Sequence, residues 1–198
     1  MNDFWKKIWD KKGNSDTVDL LFLDGYEHLD IEFSSEEITT GIINTLEIEK
    51  HSAILEVGCG CGFLSREFQK DYHYVGIDYS ESIIKKHLSL FPMHQVFVGE
   101  ANNLQFEDDS FDYVFCFGLF QYLPDLEYAN QTINEMARVG KRSMFLGDLK
   151  NKKTRETHFV YPKLQLENKG FKFTDCFYDT KNTSRFNAYK KCSRRSSK

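Results

Sequence analysis

The sequence predicts an α/β protein: a doubly wound, seven-stranded and mostly parallel sheet with an antiparallel C-terminal hairpin strand. Three observations lead there. Short apolar runs alternate with stretches of helical spacing through the middle of the chain, the pattern of a parallel sheet covered by helices on both faces. The first apolar run ends in a glycine-rich turn that opens a helix, as ligand-binding strand-to-helix turns do. The last two apolar runs are joined by residues 179–184, too short for a crossover helix, so they must pair as a hairpin. At 198 residues the chain suits one domain. We expect a helical cap over 1–50, a core over 51–150, and a C-terminal helix with the hairpin over 151–198.

In chain order, Phe4, Trp5, Ile8 and Trp9 form the apolar stripe of a short amphipathic helix. A stretch around Gly25 and Tyr26 follows, then a helix entered at Ser34-Ser35-Glu36-Glu37. The first strand is Ala53–Val57, and helical spacing resumes over 63–70. The second strand covers 74–77 and stops at Asp78; Ser80 caps a helix carrying Ile83, Ile84 and Leu88. Residues 95–98 and Phe111–Phe117 are the third and fourth strands. Pro124 suits a first helical turn, with Leu126, Ile133 and Met136 as that helix's apolar stripe. Residues 143–146 form the fifth strand, 162–169 a helix stopped by Gly170, and 171–178 and 185–191 the last two strands.

Composition narrows the function. The net charge of −4 and the lack of a concentrated basic face argue against broad nucleic-acid affinity. No apolar run approaches the roughly 20 residues of a membrane span, and the N-terminus lacks the apolar stretch of a signal peptide. A cytoplasmic protein acting on a small molecule is expected, without a membrane or nucleic-acid partner. Cys59, Cys61, Cys116, Cys176 and Cys192 make no paired C-x-x-C unit, so neither a metal site nor a disulfide framework is expected.

The chemistry concentrates at Glu56-Val57-Gly58-Cys59-Gly60-Cys61-Gly62. Glycines let the backbone turn tightly and approach a ligand, with a helix N-terminus beyond. Asp78 ends the next strand, where a carboxylate can take both hydroxyls of an adenosine ribose. Glu56 is acidic directly before the turn. A dinucleotide would bring its pyrophosphate there, and a buried carboxylate would repel it. A ligand with a cationic head fits better.

These residues resemble the class I S-adenosylmethionine-dependent methyltransferases, in their small-molecule branch, over residues 54–125. E-V-G-C-G-C-G matches the family's E/D-x-G-x-G-x-G, and Asp78 in V-G-I-D-Y-S its ribose-binding acid. The stretch 99–104 resembles G-D-A-x-x-L, with Glu100 for the usual Asp, and 107–114 resembles E-D-x-S-F-D-x-V. The resemblance implies a Rossmann-like fold, S-adenosylmethionine as cofactor, and methyl transfer to an O or N atom of a small acceptor, which is possibly anionic. The cofactor residues it implies are Glu56, Gly58, Cys59, Gly60 and Gly62 at the turn, Asp78 and Tyr79 after the second strand, Glu100 and Ala101 after the third, and Phe117 and Gly118 after the fourth. Where many relatives carry L-H-H-L-P-D, this chain reads Phe120 to Asp125 without histidine.

On the acceptor side, Asp148 and His158 are candidate general bases. Tyr26, His28, Gln121, Tyr122, Arg155 and Tyr161 are candidate substrate contacts. The run 150–158 is cationic in an acidic protein, and Lys153, Arg155 or His158 could orient an anionic acceptor. Trp5 and Trp9 read as packing residues. Nucleic-acid amino methylation is opposed by three prolines that are never adjacent. A non-catalytic methyltransferase-like binding protein, a protein methyltransferase and an NAD-dependent oxidoreductase are the alternatives. The intact glycine motif opposes the first, and Glu56 opposes the last.

Overall fold

The computed structural model describes residues 3–26, 34–178 and 184–192. Its elements are α1 (Asp3–Gly13), α2 (Leu20–Leu23), α3 (Ser35–Leu46), β1 (Ala53–Val57), α4 (Ser65–Phe68), β2 (His73–Asp78), α5 (Glu81–Leu90), β3 (Val96–Val98), β4 (Phe111–Phe117), α6 (Leu126–Val139), β5 (Gly140–Lys150), α7 (Lys163–Asn168), β6 (Lys172–Asp175) and β7 (Arg185–Lys191). Seven strands form one sheet in the order β3-β2-β1-β4-β5-β7-β6. The pairs β1–β2, β1–β4, β2–β3 and β4–β5 are parallel, and β7 runs antiparallel between β5 and β6. The α/β sheet with its reversed C-terminal strand is the architecture expected from the sequence.

Alternation along the strands builds two apolar layers. On β4, Val114 and Cys116 face the layer that also holds Ile133 and Met136 of α6 and Leu166 of α7. Tyr113, Phe115 and Phe117 face the other, with Ile38 and Ile42 of α3 and Phe68 of α4. Strands buried on both faces read as continuous apolar runs, which is why they stand out in the sequence. From β1 the chain builds outward on one side through β2 and β3, then returns to lay β4 on the other. This leaves a crevice at the carboxyl ends of β1 and β4, where open α/β sheets bind ligands.

The caps fall where the residue types require. Ser34 and Glu37 form a reciprocal capping box on α3, and the Ser80 hydroxyl accepts from the Ile83 amide at 3.3 Å. Pro124, expected in the first turn of α6, lies outside that helix; Asp125 is the cap, accepting from the Tyr128 amide at 2.8 Å. The helix expected over 63–70 shrinks to the four residues of α4, because the glycine turn extends to its start. Strand β5 runs well past the apolar core of 143–146. Its register with β7 breaks between Leu146 and Leu149, where Asp148 takes a positive φ of 57° and its amide donates to Asn187 Oδ1 at 3.0 Å. Such a bulge re-aims a side chain, here the Asp148 carboxylate.

Candidate active site

The glycine turn is pinned from below. The amides of Gly58 and Cys59 both donate to the Ile77 carbonyl, at 2.8 and 2.9 Å, and the Gly60 amide donates to Asp78 Oδ2 at 3.3 Å. From above, the turn meets a carboxylate the sequence did not reveal. Asp24, just after α2, accepts from the amides of Cys61 at 2.5 Å and Phe63 at 2.9 Å. Gly60 is required there: its φ is +52°, and a Cβ would stand 2.3 Å from Asp24 Oδ1.

A cavity opens in front of this turn. Asp24, Glu56 and Asp78 all line it, together with Trp9, Tyr26, Cys59, Phe63, Tyr79, Phe117, Gly118, Leu119, Gln121 and Tyr122, and no Lys, Arg or His among the described residues does. Burial pushes Asp24 up to about 7, against the Cys61 and Phe63 amides that lower it and with Asp78 raising it further. Burial likewise raises Asp78 to about 6, opposed by the Ser80 and Gly60 amides. Glu56, at 3% exposure, is driven well above the carboxylate range by burial, although the Tyr74 hydroxyl donates to it. Lys12 lowers Asp24 only as the least of its causes, and three desolvated acids on one wall favour a cationic guest.

Beside Asp78 a narrow apolar slot is lined by Val57, Ile77, Tyr79, Gly99, Ala101 and Leu119. The Tyr79 hydroxyl is buried without a hydrogen-bond partner. Glu100 sits apart, exposed and accepting from the Tyr128 hydroxyl at 2.6 Å. It lines a neighbouring hollow with Phe97 and Leu104 rather than the slot.

A second cavity shares Trp9, Tyr26, Gln121 and Tyr122 with the first and adds Trp5, Lys12, Asp148, Lys150, Arg155, His158 and Arg185. Helix α1 forms its outer wall. Trp5 stacks on His158 with ring centroids 5.3 Å apart, meets Tyr122 edge-on at 4.6 Å, and donates from Nε1 to the Thr157 carbonyl at 3.1 Å. The two tryptophans therefore pack, as expected, and also line cavities, which their helical spacing concealed.

Both candidate bases are engaged. The Asp148 carboxylate, 2% exposed, is gripped by the Arg185 guanidinium and by the Tyr178 hydroxyl at 2.6 Å. His158 is pushed down to about 4 by burial, and by the neighbouring Lys150. Its Nδ1 lies 3.1 Å from Lys150 Nζ and 2.8 Å from Thr154 Oγ1. Lysine can only donate, so Nδ1 is the acceptor and its lone pair is occupied. Tyr161, named as a substrate contact, lines neither cavity. It is buried in the core, and its hydroxyl donates to Asn130 at 2.7 Å. Lys153 is exposed and lines neither. Gly62 belongs to the turn but not to the cavity wall. His28 lies outside the described residues.

The sheet order with one reversed strand, and the glycine turn with its acids at the topological switch point, define the class I methyltransferase fold. A solved magnesium protoporphyrin IX methyltransferase from Synechocystis with bound S-adenosylmethionine superposes with a TM-score of 0.62 at 16% identity, over 97% of this chain and 92% of that one, a likeness of fold. Residues 54–143 match the methyltransferase domain family. A demethylmenaquinone methyltransferase from Staphylococcus carnosus is 29% identical over 116 residues, covering 53% of this chain and 46% of that protein. A phosphoethanolamine N-methyltransferase from Triticum aestivum is 28% identical over 174 residues, covering 80% of this chain and 33% of that protein. The chain thus covers a third to just under half of these relatives. No helix among the described residues is long and apolar enough to cross a membrane.

Proposed function

We propose that this chain transfers a methyl group from S-adenosylmethionine to an O or N atom of a small-molecule acceptor. One observation carries the reading: among the described residues, three carboxylates and no base line the cavity at the glycine turn. S-adenosylmethionine supplies an electrophilic methyl on a positively charged sulfur, together with a cationic ammonium. In this reading Asp78 accepts from the ribose hydroxyls, and Glu56 and Asp24 face the cationic end. Tyr79 and Ala101 border the slot that suits a flat base, and Gly58, Cys59, Gly60, Phe117 and Gly118 wall the rest.

The protein's remaining task is alignment and exclusion of water. Tyr26, Gln121 and Tyr122 stand on the wall shared by both cavities, so an acceptor in the second cavity would present its nucleophile past them. Asp148 and His158 hold the shape of that cavity instead of taking a proton, and the acceptor's nucleophile must lose its proton to water or need no deprotonation. The cap over 1–50 completes the site by contributing Trp9, Asp24 and Tyr26.

Calorimetry with S-adenosylhomocysteine and with NAD tests the cofactor. Saturable binding of the first and none of the second is expected. Binding of NAD alone would turn the reading to an oxidoreductase.

A further inference from the structure

Among the described residues, cations outnumber carboxylates on the wall of the second cavity. Lys12, Lys150, Arg155 and Arg185 line it against a single carboxylate, Asp148, in a chain whose net charge is −4. Asp148 is already held by Arg185 and Tyr178. Lys150, the last residue of β5, is 7% exposed. Its ammonium donates to Thr154 Oγ1 at 2.7 Å and approaches His158 Nδ1 at 3.1 Å, both uncharged partners. Burial, then the Arg185 charge, holds Lys150 down to about 8, so near neutrality it remains largely charged. A buried cation whose direct partners are uncharged is costly and is kept where an anion completes it. Arg155 is exposed at the rim, where a planar guanidinium can close on an arriving oxyanion.

Position gives that anion a role. A Cβ at Gly118, on the wall of the acidic cavity, would lie 3.9 Å from Asp148 Oδ2 and 3.1 Å from the Tyr26 hydroxyl. The cationic end of the second cavity is therefore set back from the cofactor cavity by little more than the ion pair. A small molecule gripped at Lys150 would reach the shared wall with its other end. We propose that Lys150, with Arg155 at the rim and the Arg185–Asp148 pair behind, binds a carboxylate or phosphate group carried by the methyl acceptor. The term acceptor rests on the methyltransferase reading; the oxyanion site does not.

The test is titration of the whole chain, with and without S-adenosylhomocysteine, using inorganic phosphate, acetate, and acetamide as the neutral isostere. At least one oxyanion binds saturably and acetamide binds at least about tenfold more weakly, the scale of a hydrogen bond to a charged group. Whether phosphate or acetate binds more tightly tells which acid the site prefers. Lys150→Met weakens the oxyanion by about tenfold or more, and Lys150→Arg recovers most of the loss. Arg155→Ala, at an exposed position that does not endanger folding, weakens it by about threefold. Equal binding of acetamide, no oxyanion binding, or parental binding by both Lys150→Met and Arg155→Ala overturns the proposal. Should Lys150→Met fail to fold, the acetamide comparison and Arg155→Ala decide. Loss of S-adenosylhomocysteine binding with oxyanion binding retained would instead sink the methyltransferase reading and leave this site standing.

Discussion

The two cavities share a wall of Trp9, Tyr26, Gln121 and Tyr122 and carry opposite charge. Among the described residues, the first holds Asp24, Glu56 and Asp78 with no Lys, Arg or His; the second holds four Lys and Arg side chains, His158, and one acid that is already paired. Desolvation acts on both in the same sense, disfavouring charge, so the acids of one are raised and the lysine of the other is lowered. Each cavity is thus costly when left alone and is relieved by a guest of opposite sign. A cationic methyl donor and an anionic acceptor would relieve both, and their own attraction would help bring nucleophile and methyl together.

The contrast is broken most directly by removing one side. Asp78→Ala should weaken S-adenosylhomocysteine binding by about 1.5–3 kcal/mol, the worth of hydrogen bonds to a charged group. Oxyanion affinity at Lys150 should stay within about twofold, because separate sites perturb one another little. Calorimetry on parent and variant reads both numbers. Unchanged S-adenosylhomocysteine affinity would misplace the ribose. Equal losses of both ligands would mean that the two cavities are one.

How much of this contrast the sequence disclosed follows from the range of each signal. The glycine turn, Asp78, and the caps at Ser34 and Ser80 are local patterns, each complete within a few residues, and the structure has them where the pattern lies. Asp24 reaches the turn across 37 positions to Cys61, and no local pattern marks a carboxylate that will meet amides so far away. Arg185 meets Asp148 across another 37 positions, only because β7 inserts between β5 and β6. The cationic run was visible, but which members turn inward was not. Lys150 is buried because β5 continues through the bulge at Asp148, whereas Lys153 lies in the exposed loop beyond. Pro124 was misassigned for a plainer reason: both proline and the aspartate after it suit a helix start, and the hydrogen-bonding side chain took the cap.

Acidity sharpens the contrast more gently. Asp24 and Asp78 have folded pKa values near 7 and 6, above the roughly 3.9 of an unfolded aspartate. A raised carboxylate contributes stability that is fully present below the unfolded value and is lost as pH rises through the folded one. The ligand-free protein should therefore lose stability between about pH 4 and 7. A cationic ligand favours the ionised acids, so S-adenosylmethionine, with its sulfonium charge, should bind about tenfold more tightly at pH 8 than at pH 5.5, on the scale of one pKa unit per factor of ten. Melting curves across that range should show the stabilisation by ligand widening with pH. A constant or narrowing gap would mean that these acids do not face the cationic group.

The smallest effect tests whether the wall itself couples the two sides. Trp5 touches only the second cavity, through His158 and Tyr122, and its indole Nε1 donates to the Thr157 carbonyl. Trp5→Phe retains an aromatic ring against both neighbours and removes that one hydrogen bond. Thr157 is exposed, so water can satisfy its carbonyl, and the net loss should be about 1 kcal/mol. In a chain of this size that lowers the melting temperature by about 2–4 °C. Helix α1 would be held less firmly over Lys150 and His158, and oxyanion affinity should fall by no more than about threefold. S-adenosylhomocysteine affinity should not move, because Trp9, one helical turn on, still closes the acidic cavity against Tyr122 at 5.1 Å. A matching loss of cofactor affinity would show that α1 acts as a single lid on both cavities, and the two charges would then have to be read as one site.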